Sequence, residues 1–344
     1  MDIWFDIAHI PQFNFYKWIM TRLASDGHHV YLTVLDRGKL AKIVQKEIGD
    51  CGNIDISVVG KHRSTKLSAI LEANLIRNVQ LFLWICARHI DLGFSNGYQL
   101  ALMGWLRRFP TYSFDDDPET MDYRPKLWFN TKAYYCIYDY GKKLSPKATI
   151  LPVLKEWSYL APAYFQADVR ALDEYGLKPK EYIFVREVSV GTVNYSGQAF
   201  GAVRDIAGMI PRGFKVLLSL EKKDTRDQYP EDWILLKEPL KDIRSLIYFS
   251  AGLVSSGDSM AREAALMGVP SYYLGIRHTM PANMAASRLA GLQNRDSMPF
   301  EDWADNLGGE AAEMMTKQDD IREGLTSRMT DVNRMMYDIV NDLK

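Results

Sequence analysis

The chain has 344 residues, of which 47% are hydrophobic and 25% are charged, and its formal net charge is -1. The length suits two domains of about 150 residues each, and the near-neutral charge argues against a nucleic-acid partner, because duplex-binding proteins usually carry a basic excess. The 3 cysteines, Cys51, Cys86 and Cys136, are scattered and form no zinc or disulfide pattern, which is typical of a reducing compartment.

The N-terminal stretch MDIWFDIAHIP carries acidic residues and no Lys or Arg, so we expect no secretory signal. The longest strongly apolar run, LFLWICA, is far shorter than the roughly 20 residues that a membrane-spanning helix needs. We therefore expect a cytoplasmic protein that is soluble or, at most, peripheral at the inner face of the membrane.

Strand-like and helix-like patterns alternate from the first residues onward. Strands are predicted at DIWFDIA, HHVYLTVL, IDISVVG, DLGFS, TYSFDDD, AYYCIYDYG and ATILPVL. Helices are predicted between them, at FNFYKWIMTRLASDG and near 38–48, 65–88 and 97–108. This alternation predicts an N-terminal α/β domain over residues 1–160, built on a mostly parallel sheet.

The alternation restarts after an aromatic, proline-bearing break at KEWSYLAPAY. Strands are predicted at YIFVREV, FKVLLSL, WILLKE, AGLVSS and SYYLG, and helices near 200–210, 242–249 and after AGLVSS. A second Rossmann-like domain is thus expected over 161–319. Residues from about 309 to 344 are predicted to form one charged helix, whose part 320–344 should rejoin the first domain. Two such domains are expected to face a central cleft, with ligands beyond the carboxyl ends of their strands.

Two loops of the first domain are candidates for catalysis. His9 follows the first strand and could act as a general base near neutral pH, or it could merely hydrogen-bond the backbone. Asp115, Asp116 and Asp117 follow a later strand. The spacing of Asp115 and Asp117 is one that can hold a divalent metal and phosphates, although an Asp-rich solvated turn has the same composition.

In the second domain, Arg186 ends a strand and Ser189 lies in the loop that follows. A guanidinium there could bind phosphate, or it could form an ion pair with Glu187 or another nearby acid.

The helix after AGLVSS begins at Gly257, Asp258 and Ser259. Asp258 or Ser259 is expected to cap it, and its spare N–H groups favour a diphosphate. Glu263 lies one turn from Ser259 on the same face, where its carboxylate could accept ribose hydroxyls. A dinucleotide or P-loop motif is not found in the sequence.

These residues together resemble the nucleotide-sugar site of GT-B-fold proteins, such as the N-acetylglucosaminyltransferase of peptidoglycan synthesis and the hydrolysing UDP-N-acetylglucosamine 2-epimerases. A closer resemblance is to an archaeal and bacterial GT-B-like family of unknown function. It rests on four stretches of the chain, which are residues 3–15, Phe114 to Asp116, the elements Glu156, Tyr159 and Leu160, and the helix from Gly257 to Pro270.

The resemblance implies roles for several of these residues. It implies that Glu263 binds ribose, that Gly257, Ser259 and Met260 offer backbone groups to a diphosphate, and that Arg186 neutralises that diphosphate as it leaves. The chain departs from the epimerases, which carry a His-Arg-Arg-Glu-Asn element where this sequence reads VREVS, and this departure favours glycosyl transfer.

The resulting hypothesis is a metal-independent and cofactor-free glycosyltransferase that uses a nucleoside-diphosphate sugar, with UDP expected, in cell-surface polysaccharide synthesis. The acceptor is expected to be a glycan or to be lipid-linked. The alternatives are a UDP-N-acetylglucosamine 2-epimerase-like enzyme or hydrolase, and a non-catalytic sugar-nucleotide-binding protein. The stretch 61–88 interleaves basic and apolar residues and could contact an anionic membrane, or it could be a core helix with a solvated basic edge.

Overall fold

The computed structural model describes residues 1–63, 71–119, 123–190, 197–237 and 242–343. The chain divides into two compact units. Unit 1 comprises Met1–Tyr159 together with Thr330–Lys344, and unit 2 comprises Leu160–Met329.

Unit 1 contains a parallel sheet of seven strands. The strands are β1 (Asp2–Ile7), β2 (His29–Asp36), β3 (Ile54–Lys61), β4 (Leu92–Ser95), β5 (Thr111–Asp115), β6 (Lys132–Cys136) and β7 (Ala148–Leu151), in the order β3-β2-β1-β4-β5-β6-β7. Ile3, Trp4 and Phe5 of β1 are all fully buried, which is expected of a central parallel strand covered on both faces.

Helices connect these strands and cover the sheet. They are α1 (Ile10–Ser25), α2 (Leu40–Ile48), α3 (Arg77–Cys86), α4 (Gln99–Arg107) and α5 (Tyr123–Phe129), and a π-helical turn at Glu72–Ile76 leads into α3. The helix predicted near 65–88 therefore corresponds to the π turn and α3, while its first part, 65–70, lies outside the described residues.

Unit 2 repeats the same arrangement with six strands. They are β8 (Tyr182–Glu187), β9 (Lys215–Leu220), β10 (Ile234–Leu235), β11 (Gly252–Ser255), β12 (Ser271–Tyr273) and β13 (Gln293–Asn294), in the order β10-β9-β8-β11-β12-β13. In both units the strand order reverses beside the first strand, between β1 and β4 and between β8 and β11. This is the Rossmann topology, which binds ligands at the reversal point.

The helices of unit 2 are shorter. They are α6 (Trp157–Leu160, across the boundary), α7 (Ala202–Asp205), α8 (Ile243–Tyr248), α9 (Asp258–Leu266), α10 (Pro281–Ala290), α11 (Phe300–Asp305) and α12 (Ala311–Thr326). The helix predicted near 200–210 is wrong in extent, because only α7 and a 3-10 turn at Ala207–Met209 form there. Gly208 and Pro211, both poor helix formers, flank the end of that turn.

The charged tail is two helices rather than the single helix predicted, and the first of them belongs to unit 2. Gln318 of α12 donates to the carbonyl oxygens of Tyr248 and Met267, each at 3.1 Å. Arg322 donates to the carbonyl oxygens of Leu160 and Phe165. These contacts hold residues 320–329 in unit 2, so the chain returns to unit 1 only at Thr330.

The last helix, α13 (Val332–Asp342), packs against α1. Asp331 caps α13 by accepting from the N–H of Arg334 at 3.0 Å. Arg22 of α1 lies over the ring of Tyr337, 5.8 Å from its centre. Among the residues described, none of the helices combines the length and the apolar character that a membrane crossing needs.

Candidate functional site

His9 lies at the carboxyl end of β1 and is the N-cap residue of α1, where Pro11 follows in the first turn. Its Nε2 accepts a hydrogen bond of 3.0 Å from Nη1 of Arg37. Because a guanidinium only donates, Nε2 must be the unprotonated nitrogen. Burial lowers the pKa of His9 to about 4, and the positive charges of Arg37, Lys155, His62 and Arg77 act in the same direction. The ring is therefore neutral at pH 7.

The three consecutive aspartates at the end of β5 are held by other groups of unit 1. Asp115 is buried and binds Nζ of Lys126, and burial raises its pKa. Asp116 accepts from Nζ of Lys155 at 3.0 Å. Oδ1 of Asp117 accepts from the N–H of Glu119 at 2.9 Å, as in an Asx turn. Asp115 and Asp116 thus form ion pairs, and Asp117 stabilises a turn.

A cavity of about 250 Å³ opens at the carboxyl edge of the unit 1 sheet. The loops after β1, β2, β3 and β4 line it, so it lies at the point where the strand order reverses. Its lining is unusually charged, and the ionisable side chains there are Asp6, His9, Arg37, Lys61, His62, Arg63, Glu72 and Arg77.

The floor of this cavity is a buried ion pair. Nη1 and Nη2 of Arg77 donate to the two carboxylate oxygens of Asp6 at 3.1 and 2.7 Å, and Thr33 donates to Asp6 at 2.6 Å. On the rim, Nε of Arg63 donates to Glu72 at 3.0 Å. The prediction that the basic residues of 61–88 form a solvated edge is therefore wrong for Arg77, because its side chain is only 4% exposed.

The described residues that could hold a metal ion lie elsewhere. Asp2, His89 and Asp91 bring their ligand atoms within 4.8 Å of one another. Asp2 begins β1 and Asp91 precedes β4, so this group is at the amino edge of the sheet, opposite the candidate residues. It therefore does not support a metal role for Asp115 and Asp117.

In unit 2 the candidate donor site is built where β11 passes into α9. The N-cap residue is Gly257, so the predicted N-cap position of Asp258 or Ser259 is wrong, although Asp258 does accept the first-turn N–H of Ser259. The turn is formed by Ser255 instead, whose Oγ accepts from the N–H of Gly257 at 2.9 Å. This turn joins the loop after β8, because Val188 donates its N–H to Oγ of Ser256 at 2.9 Å.

Asp258 is buried and ties α9 to the segment that follows β12. Its Oδ2 accepts from Nη1 of Arg262 and from Nη1 of Arg277, both at 3.2 Å, and its Oδ1 accepts from the N–H of Ser259. Asn283 of α10 completes the network by accepting from Arg262 at 2.6 Å. The carboxylate of Asp258 therefore fixes the start of α9, which explains the polar beginning of an otherwise small-residue helix.

The accessible side of α9 carries Ser259, Met260 and Glu263, which are half-buried while Ala261 and Ala264 are fully buried. The Glu263 carboxylate lies 3.9 Å from Nε of Arg244, at the beginning of α8. Ser259 and Glu263 thus share one face of α9 as predicted from their spacing. A carboxylate and a guanidinium lie side by side there, and such a pair can bind hydroxyls and an anion.

Arg186 has its guanidinium engaged. Nη2 donates to Oε1 of Glu221 at 2.6 Å, and Nη1 donates to Oγ of Ser219 at 2.8 Å. Glu221 also accepts from the N–H of Ser189 at 2.8 Å. The ion-pair alternative is therefore the one observed, but with Glu221 as the partner. Glu187 is buried and accepts from the N–H of Val203 at 2.9 Å.

The candidate residues are gathered within each unit at the carboxyl ends of strands. His9 and the three aspartates follow β1 and β5 of one sheet, whereas Arg186, Ser189 and the start of α9 follow β8 and β11 of the other. Sequence reasoning missed the cations at Arg37 and Arg244. The available signals were the position of Arg37 directly after β2 and of Arg244 in the first turn of α8.

Comparison with known proteins agrees with this description of the fold. No protein-family model matches the chain, and no curated protein matches it by sequence. The chain is similar to spinosyn rhamnosyltransferase SpnG complexed with spinosyn aglycone, with a TM-score of 0.65 and 10% identity over 98% of this chain and 100% of that one. It is also similar to the glycosyltransferase SnogD from Streptomyces nogalater, with a TM-score of 0.61 and 13% identity over the whole of both chains.

A third similar structure is the UDP-GlcNAc 2-epimerase from Neisseria meningitidis bound to UDP-GlcNAc, with a TM-score of 0.59 and 12% identity over 95% of this chain and 100% of that one. At these identities the likeness concerns the fold. The predicted GT-B architecture of two Rossmann-like units is confirmed. Membership of the archaeal and bacterial family stays a prediction.

Proposed function

We propose that the protein is a glycosyltransferase that moves a sugar from a nucleoside diphosphate, with UDP expected, to a glycan or lipid-linked acceptor. The observation that carries the proposal is the start of α9. Half-buried Ser259, Met260 and Glu263 lie there beyond β11, at the point where the strand order of a Rossmann-like sheet reverses. Two of the similar structures, SpnG and SnogD, are described as a rhamnosyltransferase and a glycosyltransferase.

In this proposal the donor diphosphate lies at the N-terminus of α9, near Gly257, Ser259 and Met260. The helix dipole favours an anion there. The N–H groups of Gly257 and Ser259 already bind Ser255 and Asp258, so a diphosphate would have to share or replace those two contacts. Glu263, one turn further along, accepts the ribose hydroxyls. Fixed N–H donors and a guanidinium can stabilise the leaving diphosphate, so the proposal needs no metal and no cofactor.

The acceptor would be activated in unit 1. Because Nε2 of His9 accepts from Arg37, the neutral imidazole carries its proton on Nδ1, so it could take an acceptor proton only through Nε2 after Arg37 has moved away. Its low pKa keeps it unprotonated at pH 7 but makes it a weak base. Asp115 and Asp116 form ion pairs with lysines, so the other candidate base is the half-buried carboxylate of Asp117, whose Oδ1 binds the N–H of Glu119.

Isothermal titration calorimetry with UDP tests the donor site. We expect Glu263→Ala to weaken UDP binding about 10- to 100-fold, because it removes charge-assisted hydrogen bonds worth roughly 1.5–3 kcal/mol. The matched control is Glu323→Ala, which removes an exposed carboxylate of α12 in the same unit. Equal UDP affinity of Glu263→Ala and the wild type would refute the donor site.

Arg186 allows a second test of the same site. If its guanidinium neutralises the diphosphate, it must exchange Glu221 for the ligand, so Glu221→Gln should tighten UDP binding several-fold. Gln keeps an acceptor for the N–H of Ser189 and removes only the competing charge. If Glu221→Gln bound UDP as tightly as the wild type, Arg186 would be a structural residue that joins the end of β8 to the end of β9 through Ser219 and Glu221.

Turnover assays with and without an acceptor distinguish two alternative functions. The similarity to an epimerase bound to UDP-GlcNAc favours the 2-epimerase-like alternative, in which the donor is epimerised or hydrolysed without an acceptor. Release of UDP from the donor alone would support it. UDP binding without turnover of any donor, in the presence of glycan and lipid-linked acceptors, would support a non-catalytic sugar-nucleotide-binding protein.

The proposal includes a peripheral membrane contact through 61–88 and the two helices beside it. We call this region the apolar face, and its exposed residues are Leu71, Leu75, Val79, Phe82, Leu83, Trp105, Leu106 and Trp128. Leu83, Trp105 and Trp128 are 66%, 61% and 65% exposed. Helix α4 contacts both α3 and α5, so the three helices adjoin one another. Large apolar side chains exposed on adjoining helices are typical of an interaction site.

The charges around the apolar face favour an anionic bilayer. Arg107, Arg108 and Arg124 are exposed, and the single carboxylate in the described helices that form the face, Glu72, is buried. We expect co-sedimentation with vesicles rich in phosphatidylglycerol and weaker binding to phosphatidylcholine alone. The variant Trp128→Ser should reduce binding, whereas a control at the exposed Met284 of unit 2 should not. Binding to neither vesicle would remove the membrane contact.

A further inference from the structure

The cavity of unit 1 described above has an unbalanced charge. Four permanent cations line it, Arg37, Lys61, Arg63 and Arg77, against two carboxylates. Asp6 is paired with Arg77 through two hydrogen bonds, and Glu72 is paired with Arg63. Since each carboxylate is satisfied by one arginine, Arg37 and Lys61 remain as the excess positive charge.

The contacts of these two residues agree with that balance. The partner of Arg37 among the described residues is the neutral imidazole of His9, which accepts from Nη1. The Lys61 side chain is exposed, and its backbone N–H rather than its ammonium binds Glu72. Within the part of the chain that the structure describes, Arg37 and Lys61 therefore face the cavity without a carboxylate.

His9 reports the sign of the potential inside the cavity. Its pKa is lowered to about 4, first by burial and then by positive charges that include Arg37 and Arg77. Burial disfavours a charge of either sign, but the positive charges that also lower this pKa favour an anion, because the same potential acts on a proton and on an anion with opposite sign.

The size of the cavity limits the ligand. A volume of about 250 Å³ is below the roughly 300–1,000 Å³ typical of sites for drug-sized ligands. It can hold an anionic group with a little of what is attached to it, and not a whole nucleotide sugar. Two uncompensated cations match a phosphate monoester, which carries about -1.5 to -2 at pH 7, better than a carboxylate.

From these contacts we infer that this cavity binds a phosphate group of the acceptor, held between Arg37 and Lys61 next to His9. The identification of the ligand as the acceptor rests on the proposed glycosyl transfer. The identification of a phosphate site rests on the residues of unit 1 alone. The phosphate-bearing group would be a lipid phosphate or a soluble sugar phosphate, both of which offer the same anion to the cavity.

Proton NMR of the histidine rings, titrated with pH with and without inorganic phosphate, tests the anion site. Phosphate beside His9 should raise its pKa by at least one unit, because a nearby anion stabilises the imidazolium. Lys61→Ala leaves the contact between His9 and Arg37 in place and should weaken phosphate binding about tenfold. The control Lys42→Ala removes an exposed cation of α2 and should change nothing.

The source of the phosphate is distinguished by two further titrations, one with a soluble hexose 1-phosphate and one with vesicles that contain a polyprenyl phosphate. A response of His9 to either ligand supports the site and identifies its source. An unchanged His9 pKa with phosphate and with both ligands would overturn the inference. Because the readout is a residue of unit 1, a failure of UDP to bind unit 2 would count against the donor site and leave this result intact.

Discussion

Replacing Arg77 by methionine should destabilise unit 1 strongly. The side chains of Arg77 and Asp6 are only 4% and 5% exposed, and the guanidinium also donates to the carbonyl oxygen of Val59 at 3.1 Å. Methionine fills much of the same volume but leaves the Asp6 carboxylate buried, with Thr33 of β2 as the side-chain partner that remains among the described residues. Breaking a buried ion pair in this way typically costs about 3–5 kcal/mol of unfolding free energy.

A double variant separates the pair from the volume change. With Asp6→Leu added to Arg77→Met, neither charge of this pair stays buried, so the loss of stability should be smaller than for Arg77→Met alone. The control Arg107→Met removes an exposed guanidinium from α4 and should stay within about 0.5 kcal/mol of the wild type.

Hydrogen exchange of peptides from β1, measured during thermal unfolding, reports the unfolding midpoint of unit 1 separately from that of unit 2. For a unit of this size each kcal/mol corresponds to about 2–4 °C, so Arg77→Met should lower the midpoint of unit 1 by about 6–20 °C. A shift of the size seen for Arg107→Met would refute the reasoning, since it would mean that water reaches the Asp6 carboxylate.

Two further changes test backbone and charge. Gly268 has a φ of +75°, and a Cβ there would lie 2.7 Å from the Cα of Gln318, whereas Gly291 has a φ of +70° and open space around it. In urea denaturation, Gly291→Ala should lower the free energy of unfolding by about 1–2 kcal/mol, because alanine is strained in the left-handed region. Gly268→Ala should lower it by about 1–3 kcal/mol more, because its Cβ clashes with Gln318. Equal losses for the two variants would contradict the close approach of α12. Folding lowers the pKa of His9 from 6.5 to about 4. The neutral ring therefore contributes fully to the free energy of unfolding above pH 6.5, and this contribution is lost as the pH falls through 4. The wild type should therefore lose up to about 3 kcal/mol more than His9→Gln between pH 7 and 4, in buffer without phosphate, since Gln can still accept from Arg37; parallel curves would show that the ring is not buried next to that charge.

The alternating pattern predicted the two sheets because their strands are nearly continuous apolar runs between polar turns. IWF in β1 and LLSL in β9 are buried as such runs should be. The pattern failed where packing decides the structure. The tail contains no glycine or proline between its two helices, so Asp331, the cap of α13, is the local signal for their division. The attachment of α12 to unit 2 is not visible locally, because it depends on contacts of Gln318 and Arg322 with distant carbonyl groups.

The candidate site was predictable in position and less so in detail. Ser259 and Glu263 lie on one face because their spacing is helical, which is local information. The partners of the aspartates are not local, because Lys126 and Lys155 are 11 and 39 residues further along the chain than the Asp115 and Asp116 they bind. The cavity next to His9 depends on the strand order β3-β2-β1-β4, which alternation alone does not reveal.

The return of the chain to unit 1 at Thr330 has a consequence for folding during synthesis. Unit 2 is one continuous segment, so it can fold as soon as the ribosome has released it. Unit 1 must wait for α13, which packs on α1 more than 300 residues earlier in the chain. The N-terminal half of the protein is therefore the last to be completed, and α1 keeps an uncovered apolar surface until then. Chains truncated before α13 and released from the ribosome should show protease-resistant unit 2 and protease-sensitive β1 and α1.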